Sequence, residues 1–294
     1  VLTIAESNSM NEAAKKLFVS QPNLSATVRE VEEELGITVF MRNNRGITVT
    51  AEGEEFLGYA KQVVEQYHLL ENRYLNVESK KKFSVSMQHY SFAVKAFVQL
   101  AKEVGMDEYE FAVHETKTKE VIDNVKNLKS EIGVLYLSDF NEKVLRKLFK
   151  ECDIEFKELF TCNTYVYLWK KHPLAGQKEI TLDDLQEYPC LTFEQGVNNS
   201  FYYAEEMMST YEYKRVIKAD DRATMLNLMV GLNGFTLCSG IISEDLNGDD
   251  YAAIPLKESE IMHIGYIKHK GTKLSKLGEI YICLLYTSPS PRDK

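Results

Sequence analysis

Residues 9–53 read SMNEAAKKLFVSQPNLSATVREVEEELGITVFMRNNRGITVTAEG, and this stretch limits the fold more tightly than any other part of the chain. Ser9 followed by Glu12 is a capping-box start, after which Met10, Ala13, Ala14 and Leu17 fall on one helical face. Beyond the turn Phe18-Val19-Ser20, a second helix is expected with Ser20 as N-cap. Pro22 sits in its first turn, where a missing N–H does no harm. Leu24, Val28, Val31 and Leu35 form its apolar stripe, and Gly36 ends it. The other face offers Gln21, Asn23, Ser25, Thr27 and Arg29, groups suited to base edges and phosphates in a DNA major groove. Glu32, Glu33 and Glu34 would be repelled by phosphate, so only the N-terminal half of this helix is expected to enter a groove.

A helical hairpin alone is an ordinary object whose polar face is merely solvated, but here a hairpin of strands follows. Val39-Phe40-Met41 and Ile47-Thr48-Val49 read as strands around Asn43-Asn44-Arg45-Gly46, a turn of residues that tolerate positive φ. Arg42, Asn44 and Arg45 stand near its tip, where arginines enter a minor groove or clamp phosphates. The order describes a winged helix-turn-helix whose expected DNA contacts are Ser20, Gln21, Pro22, Asn23, Ser25, Thr27, Arg29, Arg42, Asn44 and Arg45.

The pattern Ala13-Ala14, Leu17, Val19-Ser20-Gln21-Pro22, Leu24-Ser25, Glu32, Glu34-Leu35-Gly36, Phe40 and Arg42 resembles the LysR-type transcriptional regulators. The family's Leu-Thr before the next helix stands here as Val49-Thr50. The likeness of layout runs over nearly the whole chain. It implies a dimeric or tetrameric regulator with an N-terminal DNA reader and a C-terminal effector-sensing domain, and RNA polymerase as a further candidate partner. Against that family both ends look incomplete. Residues 1–5 read as the last turns of a helix, and residues 286–294, YTSPSPRDK, resemble a translated adapter scar expected to lack order.

The net charge of −9 and pI of about 5.4 run opposite to the usual footprint of a nucleic-acid binder. Residues 1–50 hold Lys15, Lys16, Arg29, Arg42 and Arg45 against six acids, so placement of charge has to outweigh its total. Weak bulk attraction calls for dimers that pair two half-sites. The means is visible after Thr50, where Phe56, Ala60, Val63, Tyr67, Leu70, Tyr74 and Val77 recur at steps of four and three. That stripe makes residues 51–79 a linker helix, with Phe56, Val63, Tyr67, Leu70 and Tyr74 as its dimerisation set. The competing reading is a helix packed on its own chain. Lys80–Lys82 reads as a solvated linker.

From Phe83 the apolar period switches repeatedly between two and 3.6, which implies an α/β fold with a mostly parallel sheet covered on both faces. Strands are expected at 83–87, 111–113, 132–137, 165–168, 190–193, 235–237 and 261–267. Helices are expected at 92–104, 120–128, 201–209, 224–231 and 273–284. By the resemblance, residues 83–285 form a two-lobed domain like the type 2 periplasmic binding proteins, following a reader over residues 1–50. Lobe 1 takes about 83–160 and 267–285, lobe 2 about 161–266, with crossing strands near 160 and 266.

In such a fold a ligand lies at the carboxyl ends of strands against helix N-termini. The candidates are His89, Tyr90, Ser91, Thr116, Thr118, Asn199, Ser200, Arg222 and Thr224, each at an expected helix start. They suit a small polar effector, anionic or zwitterionic, although Ser91, Thr116, Ser200 and Thr224 serve equally as plain N-caps. His89 and His114 read as structural histidines rather than pH reporters. Gly231-Leu232-Asn233-Gly234 lacks the lysine of a phosphate loop and reads as a turn.

Cysteines at 152, 162, 190, 238 and 283 include no C-x-x-C, and there is no histidine cluster. That argues for a reducing cytoplasm and for neither metal nor cofactor. Cys152 and Cys162 are ten apart, the spacing of a conceivable redox pair, but they flank a crossover strand. No apolar run of about 18 residues suggests a membrane span. No nucleophile–base–orienter set appears, so an enzyme is not expected. The alternative to a regulator is a solute-binding module without a DNA role, which leaves the reader unexplained.

Overall fold

The computed structural model describes residues 1–7, 9–43, 46–74, 80–105, 108–196 and 200–287. The chain divides into two units, Val1–Ser79 and Lys80–Lys294. The first holds α1 (Leu2–Ser7), α2 (Met10–Lys16), α3 (Gln21–Leu35), the hairpin β1 (Phe40–Asn43) and β2 (Gly46–Val49), and α4 (Ala51–Tyr74).

Local chemistry starts and stops these helices. Ser9 Oγ accepts from the Glu12 amide at 3.4 Å, and Ser20 Oγ from the Asn23 amide at 3.3 Å. Gly36 closes α3 in the left-handed region, φ +68°, which costs a glycine nothing. Thr50 Oγ1 accepts from the Gly53 amide at 2.9 Å and donates to the Thr38 carbonyl, tying the start of α4 to the chain before the wing. Glu32 is more than a surplus acid. Its Oε1 accepts from the amides of Val39 and Phe40 at 2.7 and 3.0 Å, fastening α3 to β1.

Ile4, Met10, Ala13, Ala14, Leu24, Val28, Val39, Phe40 and Ile47 make the core of this unit. The expected stripe is shorter than read from sequence. Leu17, the C-cap of α2, and Leu35, the last residue of α3, are 42% and 50% exposed, because both stand where the chain turns off its helix axis.

The second unit contains β3 (Lys81–Met87), β4 (Tyr109–Glu115), β5 (Ile132–Leu137), β6 (Ile154–Cys162), β7 (Tyr165–Trp169) and β8 (Cys190–Phe193). It continues with β9 (Val216–Ala219), β10 (Thr236–Cys238), β11 (Tyr251–Pro255) and β12 (Met262–His269). Its helices are α5 (Ser91–Val104), α6 (Thr118–Lys126), α7 (Glu142–Glu151), α8 (Arg222–Leu232), the single turn α9 (Glu244–Asn247) and α10 (Lys276–Tyr286).

Lobe 1 is a sheet in the order β4-β3-β5-β12-β6, with β3 parallel to β4 and β5, and β12 antiparallel to both its neighbours. β5 is buried along its whole length. Ile132, Val134 and Tyr136 enter one core with Phe83, Met87, Phe92 and Tyr281, while Leu135 and Leu137 enter another with Val121, Ile122 and Phe149. A strand covered on both faces needs apolar residues at both parities, hence its unbroken apolar run. Lobe 2 repeats the plan. β8 and β9 are parallel, a parallel bridge from Cys190 to Phe235 joins β8 to the run entering β10, and β7 lies antiparallel between β10 and β11.

Two expectations are corrected. β12 belongs wholly to lobe 1, since Met262 already pairs with Cys162, so the return crossing precedes residue 262 and does not fall near 266. The helix expected over 201–209 is a single 3-10 turn, Phe201–Tyr203. Lobe 1 claims the carbonyls that would continue it: Thr118 Oγ1 donates to Tyr203 O at 2.7 Å and the Tyr136 hydroxyl to Ala204 O at 3.1 Å. The helix α7 and the strands β9 and β11 were not expected from the sequence. Among the described residues no helix is long and apolar enough to cross a membrane.

Candidate functional site

The first site lies on α3. Ser20, Pro22, Asn23, Thr27 and Arg29 are exposed, whereas Leu24 and Val28 pack inward, so one helix presents a polar edge and anchors itself by the other. Ser25 does not belong to that edge. It is 8% exposed and its Oγ accepts from Gln21 Nε2 at 2.8 Å, so four residues on from Gln21 it braces that side chain. Thr27 Oγ1 donates to the Asn23 carbonyl at 3.1 Å. In the wing Arg42 pairs across the ladder with Ile47, while Asn44 and Arg45 lie outside the described residues. The turn before α3 carries Phe18, 95% exposed at φ +54°.

On α4 the expected stripe divides. Phe56 packs with Leu57 against the core of its own unit, because the first turns of α4 are held there by Thr50 and Gly53. It is therefore withdrawn from the partner-facing set. Val63, Tyr67 and Leu70 are 68%, 57% and 57% exposed and leave an apolar ridge along the helix. Tyr74 is the last described residue of the helix.

The second unit encloses a crevice of about 80 Å³. Of the residues expected there, His89, Tyr90, Ser91 and Arg222 line it. The others are engaged elsewhere. Thr118 is buried, accepting from Gln88 Nε2 at 2.6 Å, and the Thr116 hydroxyl meets the Glu120 carboxylate. Thr224 donates to Asp221 at 2.7 Å and completes the N-cap of α8. Ser200 is exposed and makes no side-chain cap, since the helix it would start is not formed. Asn199 lies outside the described residues. His114 stands on β4, away from the crevice lining, with its imidazole held below the ordinary range by burial.

Sequence reasoning missed most of the lining. Met225, Leu226, Met229, Leu237, Ile241 and Met262 make it largely apolar, and Glu205 and Glu206 place two carboxyl groups against it. Both are buried, at 7% and 5% exposure. Glu205 is well partnered: Oε2 accepts from the His89 amide at 3.0 Å and lies 2.7 Å from His89 Nδ1, while Oε1 accepts from Gln195 Nε2 at 2.9 Å. The His89 ring stacks on Phe193 at 3.5 Å. Glu206 accepts from the Phe193 amide at 2.8 Å. Burial first, and then the neighbouring Glu205, raise its carboxyl to about 8. The one sequence signal for this pair was the acidic dipeptide inside the run Ala204–Met208.

These bonds occupy part of the donor set expected to meet an anion. The amide before α5 is taken by Glu205, and the first amide of α6 by Gln195 Oε1 at 3.1 Å. Arg222 is ion-paired with Glu115, and His89 Nδ1 lies 2.7 Å from Glu205 Oε2. At these positions the chain supplies its own acceptors.

Cys152 caps the end of α7 and Cys162 ends β6, so the length of that strand, roughly 25 Å, separates them. A bridge needs Cα atoms within about 7 Å, which excludes this pair as a disulfide.

The model for the bacterial regulatory helix-turn-helix proteins of the lysR family matches residues 1–54, and the LysR substrate-binding domain model matches residues 105–279. The transcriptional regulator CysL of Bacillus subtilis is 24% identical over 97% of this chain and 94% of its own length. BsdA of the same organism is 26% identical over 78% and 77%. In fold, a full-length OxyR variant from Pseudomonas aeruginosa superimposes with a TM-score of 0.70 at 17% identity, covering 98% of this chain and 92% of that one. Full-length CbnR, solved with its target DNA, gives 0.58 at 17% identity over 98% and 97%. The protein belongs to the LysR family: it is a DNA-binding transcriptional regulator with an N-terminal helix-turn-helix and a two-lobed effector-binding domain.

Proposed function

We propose that the protein reads a partly palindromic DNA site as a dimer and that a small molecule in the lobe crevice controls this. The N-terminal half of α3 enters a major groove through Ser20, Gln21, Pro22, Asn23, Thr27 and Arg29. The wing, with Arg42, Asn44 and Arg45, grips the groove edge, and Val63, Tyr67 and Leu70 of α4 bind a second copy. The observation that carries the reading is the division of α3 into an exposed polar edge and a buried apolar one. Five free cysteines support a reducing cytoplasm as the place of work. Contact with RNA polymerase rests on family membership alone.

DNA selected from a random pool, with affinity followed by fluorescence anisotropy across salt, tests the reader. Arg29→Ala should weaken binding about tenfold and lower the salt slope by about one. Val63→Glu should turn sedimenting dimers into monomers. If Arg29→Ala and Thr27→Ala both leave affinity and salt slope unchanged, α3 does not read the groove.

A further inference from the structure

The crevice contains three polar groups that the protein itself leaves incomplete. Tyr167 on β7 and Thr236 on β10 are direct partners across the ladder, so their side chains stand on one face of the sheet. Both line the crevice, both are buried, and neither hydroxyl has a hydrogen bond of good geometry among the described residues. Asn247 approaches the Tyr167 hydroxyl, so of the two the Thr236 hydroxyl is the one left wholly without a partner among the described residues. Buried hydroxyls left this way are destabilising, and a resident ligand would offset that cost. The third group is Glu206, whose carboxyl has the backbone amides of Phe193, Glu205 and Glu206 against it but, among the described residues, no cation.

The titratable groups facing Glu206 are Glu205, Tyr90, Tyr136, Cys190 and Tyr213. All of them become negative when they ionise. Of the two bases in the lining, Arg222 is ion-paired with Glu115, and His89 Nδ1 lies 2.7 Å from Glu205. A second buried acid therefore remains beside an apolar wall without a counter-charge. Such a group either keeps its proton or waits for a cation from outside.

We propose that the crevice takes a small organic ammonium ion, its charge on Glu206, its N–H donors on the Tyr167 and Thr236 oxygens, and its hydrocarbon part against Met225, Met229 and Ile241. The proposal rests on the crevice being the effector site, and deepens that reading by naming the ligand class. A cavity near 80 Å³ is about half of one known to hold benzene, so the ligand has on the order of three or four non-hydrogen atoms. Flexible methionines let the wall close on different carbon skeletons.

The proton count follows from the chemistry. Glu206 enters as a carboxylic acid and leaves as a carboxylate paired with the ammonium, so one proton passes to the buffer for each ligand bound. Because the carboxyl otherwise keeps its proton up to about pH 8, affinity should climb roughly tenfold per pH unit from 6 to 7.5 and flatten above.

Calorimetry on the full chain with n-propylammonium chloride, sodium propionate and propan-1-ol tests this, at three pH values and in two buffers of different ionisation heat. The expected result is binding of propylammonium alone, with close to one proton released at pH 6.5. Glu206→Gln should abolish the release and weaken binding at least tenfold, with circular dichroism confirming the fold. Thr236→Val, which keeps the side-chain shape, should weaken binding a few-fold with the proton count intact. If propionate or propanol binds better, and Met229→Trp blocks it, the crevice is the effector site but the ligand class is wrong. If none of the three probes binds, both readings fall.

Discussion

Replacing Glu206 with glutamine should change how stability depends on pH, and the structure gives the size and sign. The buried carboxyl keeps its proton up to about pH 8, while the same group in the unfolded chain releases it near its ordinary 4.5. Between those values the folded protein binds more protons than the unfolded one, so stability falls as pH rises and levels off above 8. At about 1.4 kcal/mol per pH unit the ceiling is about 5 kcal/mol, and relaxation around the ion leaves on the order of half of that. Glutamine keeps an acceptor for the Phe193 amide, now at 2.8 Å, and does not titrate. The variant should match the wild type within about 1 kcal/mol at pH 5 and exceed it by roughly 2–3 kcal/mol at pH 8.5. Trp169, the one tryptophan, stands on β7 with its indole N–H bonded to Asn233, so its fluorescence in urea reports this unit. Parallel stability curves for the two proteins from pH 5 to 8.5 would refute the reasoning.

Three further outcomes follow from geometry. Glu32→Ala removes a charged acceptor from two backbone amides, and should lower the stability of the reader unit by roughly 2–3 kcal/mol in thermal melts followed by circular dichroism. Gly53→Ala places a methyl 2.3 Å from the Val39 carbonyl oxygen, a backbone atom that cannot swing aside; a loss of about 1–3 kcal/mol is expected in the same melts. Burial raises the thiols of Cys152 and Cys190, and pushes those of Cys162 and Cys238 up to about 12, whereas Cys283 is exposed. A chromogenic disulfide reagent at pH 8 should therefore react quickly with one thiol, lost in Cys283→Ser, and with the other four only after unfolding.

What could be read from the sequence was local. Ser9, Ser20, Thr50 and Gly36 act on amides and dihedrals within three residues of themselves, so type and spacing specify their roles. The both-face burial of β5 was visible for the same reason, as an unbroken apolar run. What escaped depends on partners far along the chain. Glu205 meets His89 across 116 positions, and Gln195 reaches the start of α6 across 77, and together they occupy two of the amides that helix starts alone offered to a ligand. The unwinding after Tyr203 has the same cause, since the competing donors, Thr118 and Tyr136, lie in the other lobe. Phe56 and Ser25 failed for a different reason. Helical periodicity tells which residues share a face but not which neighbour covers it.

The placing of β12 bears on how the chain is made. Lobe 2 uses one uninterrupted stretch, β7 to β11, so its strands are complete as soon as they leave the ribosome. Lobe 1 has β6 in hand early, but β6 joins β5 only through β12, which begins at Met262. At synthesis rates of about 5–20 residues per second, β6 waits on the order of ten seconds for its neighbour. In the newborn chain the later lobe thus closes before the earlier one, and the edges of β5 and β6 are where a chaperone has most to protect.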